Sequence, residues 1–281
     1  MIQKLLHLYR KFCIIFGTGM LFVFSPAVKS HAQAVIGARE LAMGQAITAL
    51  PNTTWSVFGN PALMAEDRAS VSFFGVRYYS FAEITDMAVS ITYPTGIGVL
   101  AAGIHRYGFD LFNEKRLRLG YKNSFKGFHF GIILNYSHVM QGGGYGSAGA
   151  AGIDVGIAAA ITPDLWIGAK ATNINRPTYG SLNDEELPRN LSIGFSYRLS
   201  DIALFSTDII KDVRFPISYR AGVEVRIIGG LMGRAGITTS PGTFSAGFGY
   251  KAEFWSANVA VQRHENLILG YSPAIDFKIV W

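Results

Sequence analysis

Hydrophobic and polar residues alternate with a period of two along much of the chain. The clearest case is Ile217–Ile227, where apolar residues alternate with polar positions that include Arg220, Glu224 and Arg226. Successive side chains of a β-strand point to opposite faces, so this segment has one apolar and one charged face. The alternation resumes over Leu231–Ile237, and the two segments together predict a hairpin.

Fourteen segments show a strand-like pattern, and no helical domain interrupts them. They are Val71–Tyr78, Met87–Tyr93, Ile97–Arg106, Leu117–Tyr121, Phe128–Tyr136, Ile153–Ile161, Leu165–Thr172, Leu191–Leu199, Ile202–Ile210, Ile217–Ile227, Leu231–Ile237, Phe244–Tyr250, Trp255–Val261 and Ile275–Trp281. Such strands fit two folds. One is a soluble sandwich with its apolar faces inward, and the other is a membrane barrel with its apolar faces in lipid and its charges in the lumen.

Loop lengths and aromatic positions favour the barrel. Tight connections such as Ser200-Asp201 alternate with mostly longer ones such as Tyr107–Glu114 and Asn173–Pro188. Outer-membrane barrels combine short periplasmic turns with longer extracellular loops. The aromatic residues that we expect at the membrane interface, next to the short turns, are Tyr93, Tyr121, Tyr197, Tyr250, Trp255 and Trp281. The sequence therefore predicts an all-β fold, a transmembrane antiparallel β-barrel of about fourteen strands.

The first 34 residues have the pattern of a secretory signal peptide. A short apolar run, Phe12–Phe24, follows basic residues and precedes the small-residue site Ala32-Gln33-Ala34. Cleavage after Ala32 or after Ala34 fits this pattern. A retained anchor helix is the alternative, but the run is shorter than the ~20 apolar residues that span a membrane. We therefore predict a signal peptide in residues 1–34 and a mature protein in the outer membrane of a Gram-negative cell.

The composition of the chain excludes several classes of function. Removing residues 1–34 lowers the formal net charge from +6 to +2, so we expect no nucleic-acid partner. The single cysteine, Cys13, lies in the signal peptide, so the mature chain needs no disulfide or thiol chemistry. The mature histidines form no catalytic or metal-binding motif; they are His105, His129, His138 and His264. We expect neither an enzyme nor a cofactor or metal.

Residues 35–67 precede the first strand and do not alternate. Thr53 is a plausible N-cap for one short helical turn that ends before Gly59. This stretch is either a flexible leader or a folded segment packed inside the barrel. Its apolar residues, which include Leu41, Trp55 and Phe58, would be costly to leave in water. We therefore predict a plug in residues 35–67 and the barrel in residues 68–281.

The amino-terminal stretch resembles the start of FadL-like and PorV/PorQ-like outer-membrane proteins. The residues that carry the resemblance are Gly37, Arg39, Met43, Gly44, Asn60, Pro61 and Ala62. Gln45 stands where this signature usually has a second glycine. In these families the stretch forms a hatch in a fourteen-stranded barrel, which implies an N-terminal lumen plug here.

The resemblance implies two functions. The first and slightly preferred one is a non-enzymatic interaction component of the PorV/PorQ type, working with type IX-like protein secretion or cell-surface assembly. The second is FadL-like passive transport of hydrophobic small molecules. The partners implied are outer-membrane lipid and the barrel-assembly machinery, and then either secretion-system proteins or a hydrophobic ligand.

Charged residues are expected on the lumen faces of the strands. They are Arg116, Arg118, Lys122, Arg220, Glu224, Arg226 and Arg234. These charges could favour anionic or amphiphilic solutes, or they could neutralise one another and hold the plug. If the hairpin faces stay in phase through its turn, Ile227 faces Leu231 and Glu224 lies opposite Arg234, which predicts an ion pair inside the lumen.

Overall fold

The computed structural model describes residues 36–78, 85–143, 146–180, 186–265 and 270–281. The predicted signal peptide lies outside these residues. The described chain forms one short helix, two 3-10 helices and fourteen strands. Within these ranges, no helix is both long enough and apolar enough to cross a membrane.

The helix α1 spans Ala38–Ala42, and the 3-10 helices span Thr54–Val57 and Pro61–Leu63. The strands are β1 Ser70–Arg77, β2 Thr85–Thr95, β3 Gly98–Phe109, β4 Phe112–Phe125, β5 Phe128–Gln141, β6 Gly146–Thr162, β7 Leu165–Ala171, β8 Asn190–Leu199, β9 Ala203–Asp212, β10 Ser218–Ile228, β11 Leu231–Thr239, β12 Gly242–Lys251, β13 Trp255–His264 and β14 Tyr271–Val280.

The strands close into a single barrel. Each strand pairs antiparallel with the next one in sequence, and β1 pairs with β14 in a register that sets Ser70 opposite Val280. A closed sheet has no free edge, and its backbone groups are paired around the whole ring. The predicted all-β barrel of fourteen strands is therefore confirmed, and the soluble sandwich is excluded.

The alternation along each strand separates the two faces of the wall. On β14, Ile275, Phe277 and Ile279 are exposed on the outer surface, whereas Ser272 and Asp276 are buried inside. Polar residues are buried here because the amino-terminal segment fills the lumen. Apolar side chains facing outward are the pattern that a lipid environment stabilises.

The register predicted for the hairpin of β10 and β11 is confirmed at the ion pair but not at the turn. Glu224 lies opposite Arg234, and the Arg234 Nε donates to Glu224 Oε2 at 2.6 Å. Next to the turn the register shifts, so that Ile228 rather than Ile227 pairs with Leu231. The prediction for Ile227 was wrong because a β-bulge inserts one extra residue into one strand without changing the pairing beyond it.

The loops at the two ends of the barrel differ less in length than the sequence indicated. The turns after even-numbered strands have two or three residues, and we call the end of the barrel that carries them the tight-turn end. At the opposite end, the predicted loop Tyr107–Glu114 is mostly strand, because β3 and β4 continue to a two-residue turn at residues 110–111. The misleading signal was the polarity of Glu114 and Arg116, whose side chains pair with each other at 2.5 Å.

The described residues of the longest connection, 172–180 and 186–189, lie partly against the wall. Asn173 and Leu187 are buried. The Asn173 N–H donates to Asp154 Oδ1 at 2.8 Å, and the Asn173 side chain donates to the Pro188 carbonyl at 2.7 Å. These residues therefore pack onto the wall at the end opposite the tight turns.

Candidate functional site

Residues 36–64, which we call the plug, lie inside the barrel and contact every strand of its wall. The helix α1 packs on β11–β14, and the two 3-10 helices pack on β1–β6. Between them, Ser196, Asp208 and Arg220 hydrogen-bond the plug to β8, β9 and β10, and Asn60 reaches β7. For the described residues the leader is a folded plug, and the flexible-leader alternative is wrong.

One carboxylate joins the plug to the wall through two arginines. Glu224 on β10 accepts hydrogen bonds from Arg39 of α1, at 2.8 and 2.9 Å, and from Arg234 of β11. The side chains of Glu224 and Arg234 are only 13% and 5% exposed. Two guanidinium groups around one shielded carboxylate form charge-assisted hydrogen bonds, which are stronger than neutral ones. Arg39 therefore holds the first turn of the plug against β10.

A second carboxylate receives the amino end of α1. Asp276 of β14 accepts from the backbone N–H groups of Ala38 at 2.7 Å and Arg39 at 3.2 Å. Asn258 donates to Asp276 Oδ1 at 2.6 Å and accepts from Arg234 at 2.8 Å, so it links the two carboxylate sites. The backbone N–H groups at the start of a helix lack intrahelical partners, and Asp276 supplies one.

Glu40 is the one acidic residue of the plug, and only one of its two carboxyl oxygens has a hydrogen-bond partner. It is 1% exposed, and its Oε1 accepts from the Thr53 hydroxyl at 2.5 Å, whereas its Oε2 has no hydrogen-bond partner. Burial, reinforced by the nearby charge of Asp276, raises the pKa of Glu40 to about 7. Near neutral pH this carboxyl group therefore titrates inside the plug.

Plug docking should consequently weaken as pH rises. A carboxyl group whose pKa is higher in the docked plug than in water favours docking fully below about pH 4.5, and the advantage disappears by about pH 7. The difference corresponds to up to about 3 kcal/mol. We expect the planar-bilayer conductance of the protein to be higher at pH 8 than at pH 5, and the Glu40→Gln variant to lose this dependence.

Glu66 offers a control for the pH experiment. Its hydrogen bond with His129 and its pairing with Lys122 lower the pKa of Glu66 to about 2, so it stays ionised between pH 5 and 8. The Glu66→Gln variant should keep the pH dependence of the wild type. An identical pH response in the Glu40→Gln variant would show that Glu40 does not govern docking.

The middle of the plug is held by Asp208 on β9. Its Oδ2 accepts from the N–H groups of Ile47 and Thr48, both at 2.9 Å, and from the Thr48 hydroxyl at 2.7 Å. Arg220 donates to the Gln45 carbonyl at 3.4 Å. Gln45 has a φ of 61°, in the left-handed region that favours glycine, which fits the glycine usual at this position of the signature.

The Asn-Pro-Ala motif anchors the plug to β6 and β7. The Asn60 amide donates to the carbonyls of Thr48 at 2.7 Å, Ile157 at 3.2 Å and Ala169 at 3.4 Å. Its carbonyl accepts from the Ala62 N–H and caps the second 3-10 helix, which Pro61 begins. One buried amide therefore closes the plug on itself and ties it to two strands.

The last part of the plug is held by cations of β4. Lys122 donates to the Met64 carbonyl at 2.8 Å and pairs with Glu66 at 2.5 Å. Arg118 donates to the Val57 carbonyl at 3.1 Å and lies 3.2 Å from Asp154 of β6. Both side chains are almost fully buried, so their positive charges interact with groups inside the molecule and not with solvent.

Glycines on the wall make room for the plug backbone. A side chain at Gly222 or Gly236 would overlap the backbone at Met43 and Gly44, and one at Gly131 would overlap the backbone of Pro61. Strand glycine normally weakens a sheet and often marks a close approach of another backbone. Here the plug lies directly on the wall at these positions.

A largely apolar sector of the lumen lies where β13, β14, β1, β2 and β3 face the plug. The wall contributes Phe74, Val76, Tyr78, Ala88, Tyr107, Ala260 and Ala274, and the plug contributes Ile36, Ala38, Leu41, Ala42, Trp55 and Phe58. The Trp55 and Phe74 rings meet edge to face at 5.9 Å between centroids. We call this group the apolar sector.

A polar cavity of about 380 Å³ lies between the plug and the tight-turn end. Its walls include Arg39, Glu40 and Thr53 of the plug, together with Asp201 and Lys278 of the barrel. Charges of both signs line it, so water fits this space better than an apolar molecule does.

The predicted lumen charges fall into two groups. Arg118, Lys122, Arg220, Glu224 and Arg234 come together with the plug through the contacts above. Arg116 instead pairs with Glu114, and Arg226 is exposed near a tight turn.

The residues of the predicted plug motif all lie in the plug. Met43 is fully buried, and Gly44 has a φ of 62°.

The predicted interface aromatics all lie near the tight turns. Five are well exposed, namely Tyr93, Tyr197, Tyr250, Trp255 and Trp281. Tyr121 is only partly exposed, and its hydroxyl donates to the Ile97 carbonyl at 2.5 Å. The rings of Tyr250 and Trp255 contact each other in a tilted arrangement, with 5.6 Å between their centroids, so part of this set forms a continuous patch.

Sequence reasoning missed two anchors of the plug. Asp208 and Ser206 lie on inward positions of β9, and each hydrogen-bonds to the plug. The signal was present in the alternation, since a polar residue on the inner face must find a partner when the lumen is filled. Which partner it finds depends on the path of the plug.

Comparisons with known proteins bear on the fold. No family model matches the chain, and no curated protein matches it. Among solved structures, the Ralstonia pickettii toluene transporter TbuX aligns with a TM-score of 0.68 at 14% identity, over 87% of this chain and 98% of that one. The Pseudomonas putida toluene transporter TodX gives 0.63 at 12% identity, with 87% and 98% coverage.

A monoaromatic hydrocarbon channel, CymD, aligns with a TM-score of 0.63 at 12% identity, over 88% of this chain and 97% of that one. A Pseudomonas aeruginosa FadL homologue gives 0.57 at 9% identity. At such identities the likeness concerns the fold, and it extends over nearly the whole length of each channel. The closed fourteen-stranded barrel of this chain is therefore similar in fold to these proteins.

Proposed function

We propose that this protein is an outer-membrane channel through which small hydrophobic molecules enter the cell. The observation that carries the proposal is the apolar sector, in which aromatic and aliphatic side chains of five adjacent strands face the plug. The full-length likeness to toluene and monoaromatic hydrocarbon channels supports this assignment.

The plug would have to move for a molecule to pass, because it fills the apolar sector. Its contacts with the wall combine buried ion pairs and hydrogen bonds with the apolar packing of this sector. Outer-membrane lipid surrounds the barrel in this proposal, and the barrel-assembly machinery inserts it. We also propose that residues 1–34 are removed on export.

Uptake by intact cells tests the proposal. Gram-negative cells that lack a hydrocarbon channel should take up radiolabelled p-xylene faster when they express this protein than with an empty vector. The Ala88→Leu variant, which adds bulk to the apolar sector, should reduce uptake, because Ala88 is 4% exposed within that sector. The matched Ala102→Leu variant makes the same change on the neighbouring strand β3, at a position that faces outward. It should leave uptake unchanged.

Two controls make the result interpretable. Both variants should fractionate with the outer membrane and migrate fast on a denaturing gel when unheated, as closed barrels do. Uptake equal to that of the empty vector would overturn the proposal. Co-purification of secretion proteins from native membranes, together with unchanged uptake, would favour the docking function of the PorV/PorQ type instead.

A further inference from the structure

The apolar sector borders a buried polar group that the packing of the plug does not use. His105 on β3 is 4% exposed, and its Nε2 hydrogen-bonds to Asp86 Oδ1 on β2. The other carboxylate oxygen of Asp86 accepts from the Tyr78 hydroxyl at 3.1 Å. The His105 Nδ1 has no hydrogen-bond partner. A buried nitrogen without a partner is costly, and in native proteins it usually has a functional explanation.

Beside the His105 ring, an aromatic side chain of the plug fills a slot in the wall. The Phe58 ring meets the His105 ring edge to face at 6.1 Å, and the Arg118 guanidinium lies over the Phe58 ring at 5.5 Å from its centroid. On β3, a Cβ at Gly103 would lie 2.7 Å from the ring carbons of Phe58. Gly103, His105 and Arg118 therefore form a slot with the shape of one aromatic ring.

Phe58 fills this slot but satisfies only its apolar part, because a phenyl ring cannot hydrogen-bond to Nδ1. An aromatic ring that carried a hydroxyl group could occupy the slot and also bond to His105. With Nε2–H donating to Asp86, the neutral imidazole presents Nδ1 as an acceptor; in the protonated imidazole, Nδ1–H is a donor. A hydroxyl group suits either state, since it both donates and accepts.

We infer that the slot of Gly103, His105 and Arg118 binds small aromatic molecules that carry a hydroxyl group, and that Phe58 occupies it in the plugged state. This inference rests on the proposed function. It specifies that the transported molecules are phenol-like and not purely hydrocarbon. The incoming ring displaces Phe58 from the wall, so that binding also removes one contact of the plug. Arg118 then stacks on the ligand ring as it does on Phe58.

Binding of p-cresol and p-xylene to the purified full-length protein in detergent tests the inference. The two molecules differ by a hydroxyl in place of a methyl group, and titration calorimetry gives both affinities. We expect the wild type to bind p-cresol at least about tenfold more tightly than p-xylene, because a site built around an unpaired polar group discriminates against a ligand that cannot pair with it.

Two variants test the contributions of His105 and Phe58 to the slot one at a time. His105→Phe should abolish the preference for p-cresol while it retains p-xylene binding. Phe58→Ala removes the competing ring, so it should tighten the binding of both ligands and keep the preference. If His105→Phe does not fold, as judged by the mobility of the unheated protein on a gel, the preference in the wild type and in Phe58→Ala still decides the question.

Different experimental results would contradict this inference and the proposed function. Equal affinity of the wild type for p-cresol and p-xylene would overturn the inference, as would a preference that survives in His105→Phe. If p-xylene uptake by cells still depends on the protein in those cases, the channel function stands. Loss of uptake and of binding for both ligands would overturn the two together.

Discussion

Deleting residues 36–64 is expected to convert a nearly closed barrel into a conducting pore. A ring of fourteen strands lies between eight-stranded barrels, which side chains fill, and the sixteen-stranded porins that hold an aqueous channel. Without the plug, the buried charges of the lumen would line an open aqueous path. Planar-bilayer conductance of the intact protein should be small, and that of the deletion variant should be several times larger.

The comparison depends on a folded barrel. The deletion variant should keep its fast migration without heating and a β-rich circular dichroism spectrum. Point variants give an independent test: Asp208→Ala removes three hydrogen bonds to the plug and should raise conductance part of the way. Asp164→Ala, which changes an exposed turn residue that does not line the cavity, serves as the control. High conductance of the wild type, unchanged by the deletion, would show that the plug does not block the lumen.

Replacing Glu224 by glutamine should produce the largest effect of any single substitution in the plug contacts. The change leaves Arg39 and Arg234 facing each other without the carboxylate that separates them. Removing one member of a buried ion pair costs several kcal/mol, and for this partly shielded site we expect roughly 3 kcal/mol. The temperature at which the folded band disappears on a gel should fall, and the resting conductance should rise.

Glu253→Gln provides a matched control, since it makes the same chemical change in an exposed turn of the tight-turn end. It should leave both measurements unchanged. The double variant Glu224→Gln, Arg39→Gln should recover part of the lost stability, because it removes one of the two uncompensated positive charges. Equal thermal behaviour of Glu224→Gln and the wild type would contradict the role assigned to this carboxylate.

The strands and much of their pairing could be predicted from the sequence because alternation is a local signal. Once β10 and β11 are recognised as a hairpin, the phase of their faces sets Glu224 opposite Arg234 without further information. The bulge beside Ile228 could not be predicted, since it depends on how the chain accommodates the turn. Glu114 was mistaken for a loop residue because a charged side chain that faces a lumen cannot be distinguished by its type from one that faces water.

The contacts of the plug were largely beyond the reach of sequence reasoning. The hydrogen bond from Ala38 to Asp276 joins residues 238 positions apart. The plug has no period of two or of 3.6, so its pattern does not say which residue faces which strand. The resemblance of its motifs to hatch signatures indicated where it lies. The partners of Asn60 and Asp208 follow only from the path of its backbone along the wall.

That path constrains the order in which the molecule can be assembled. The plug comes first in the chain, yet α1 rests on β11–β14, which are synthesised last. Its amino end cannot reach its final position until Asp276 has arrived and β14 is beside β1. The 3-10 helices of the plug contact β1–β6 and Asn60 reaches β7, so this part of the plug does not depend on β11–β14. The plug can therefore dock in two stages, and the closing of the ring coincides with the second of them.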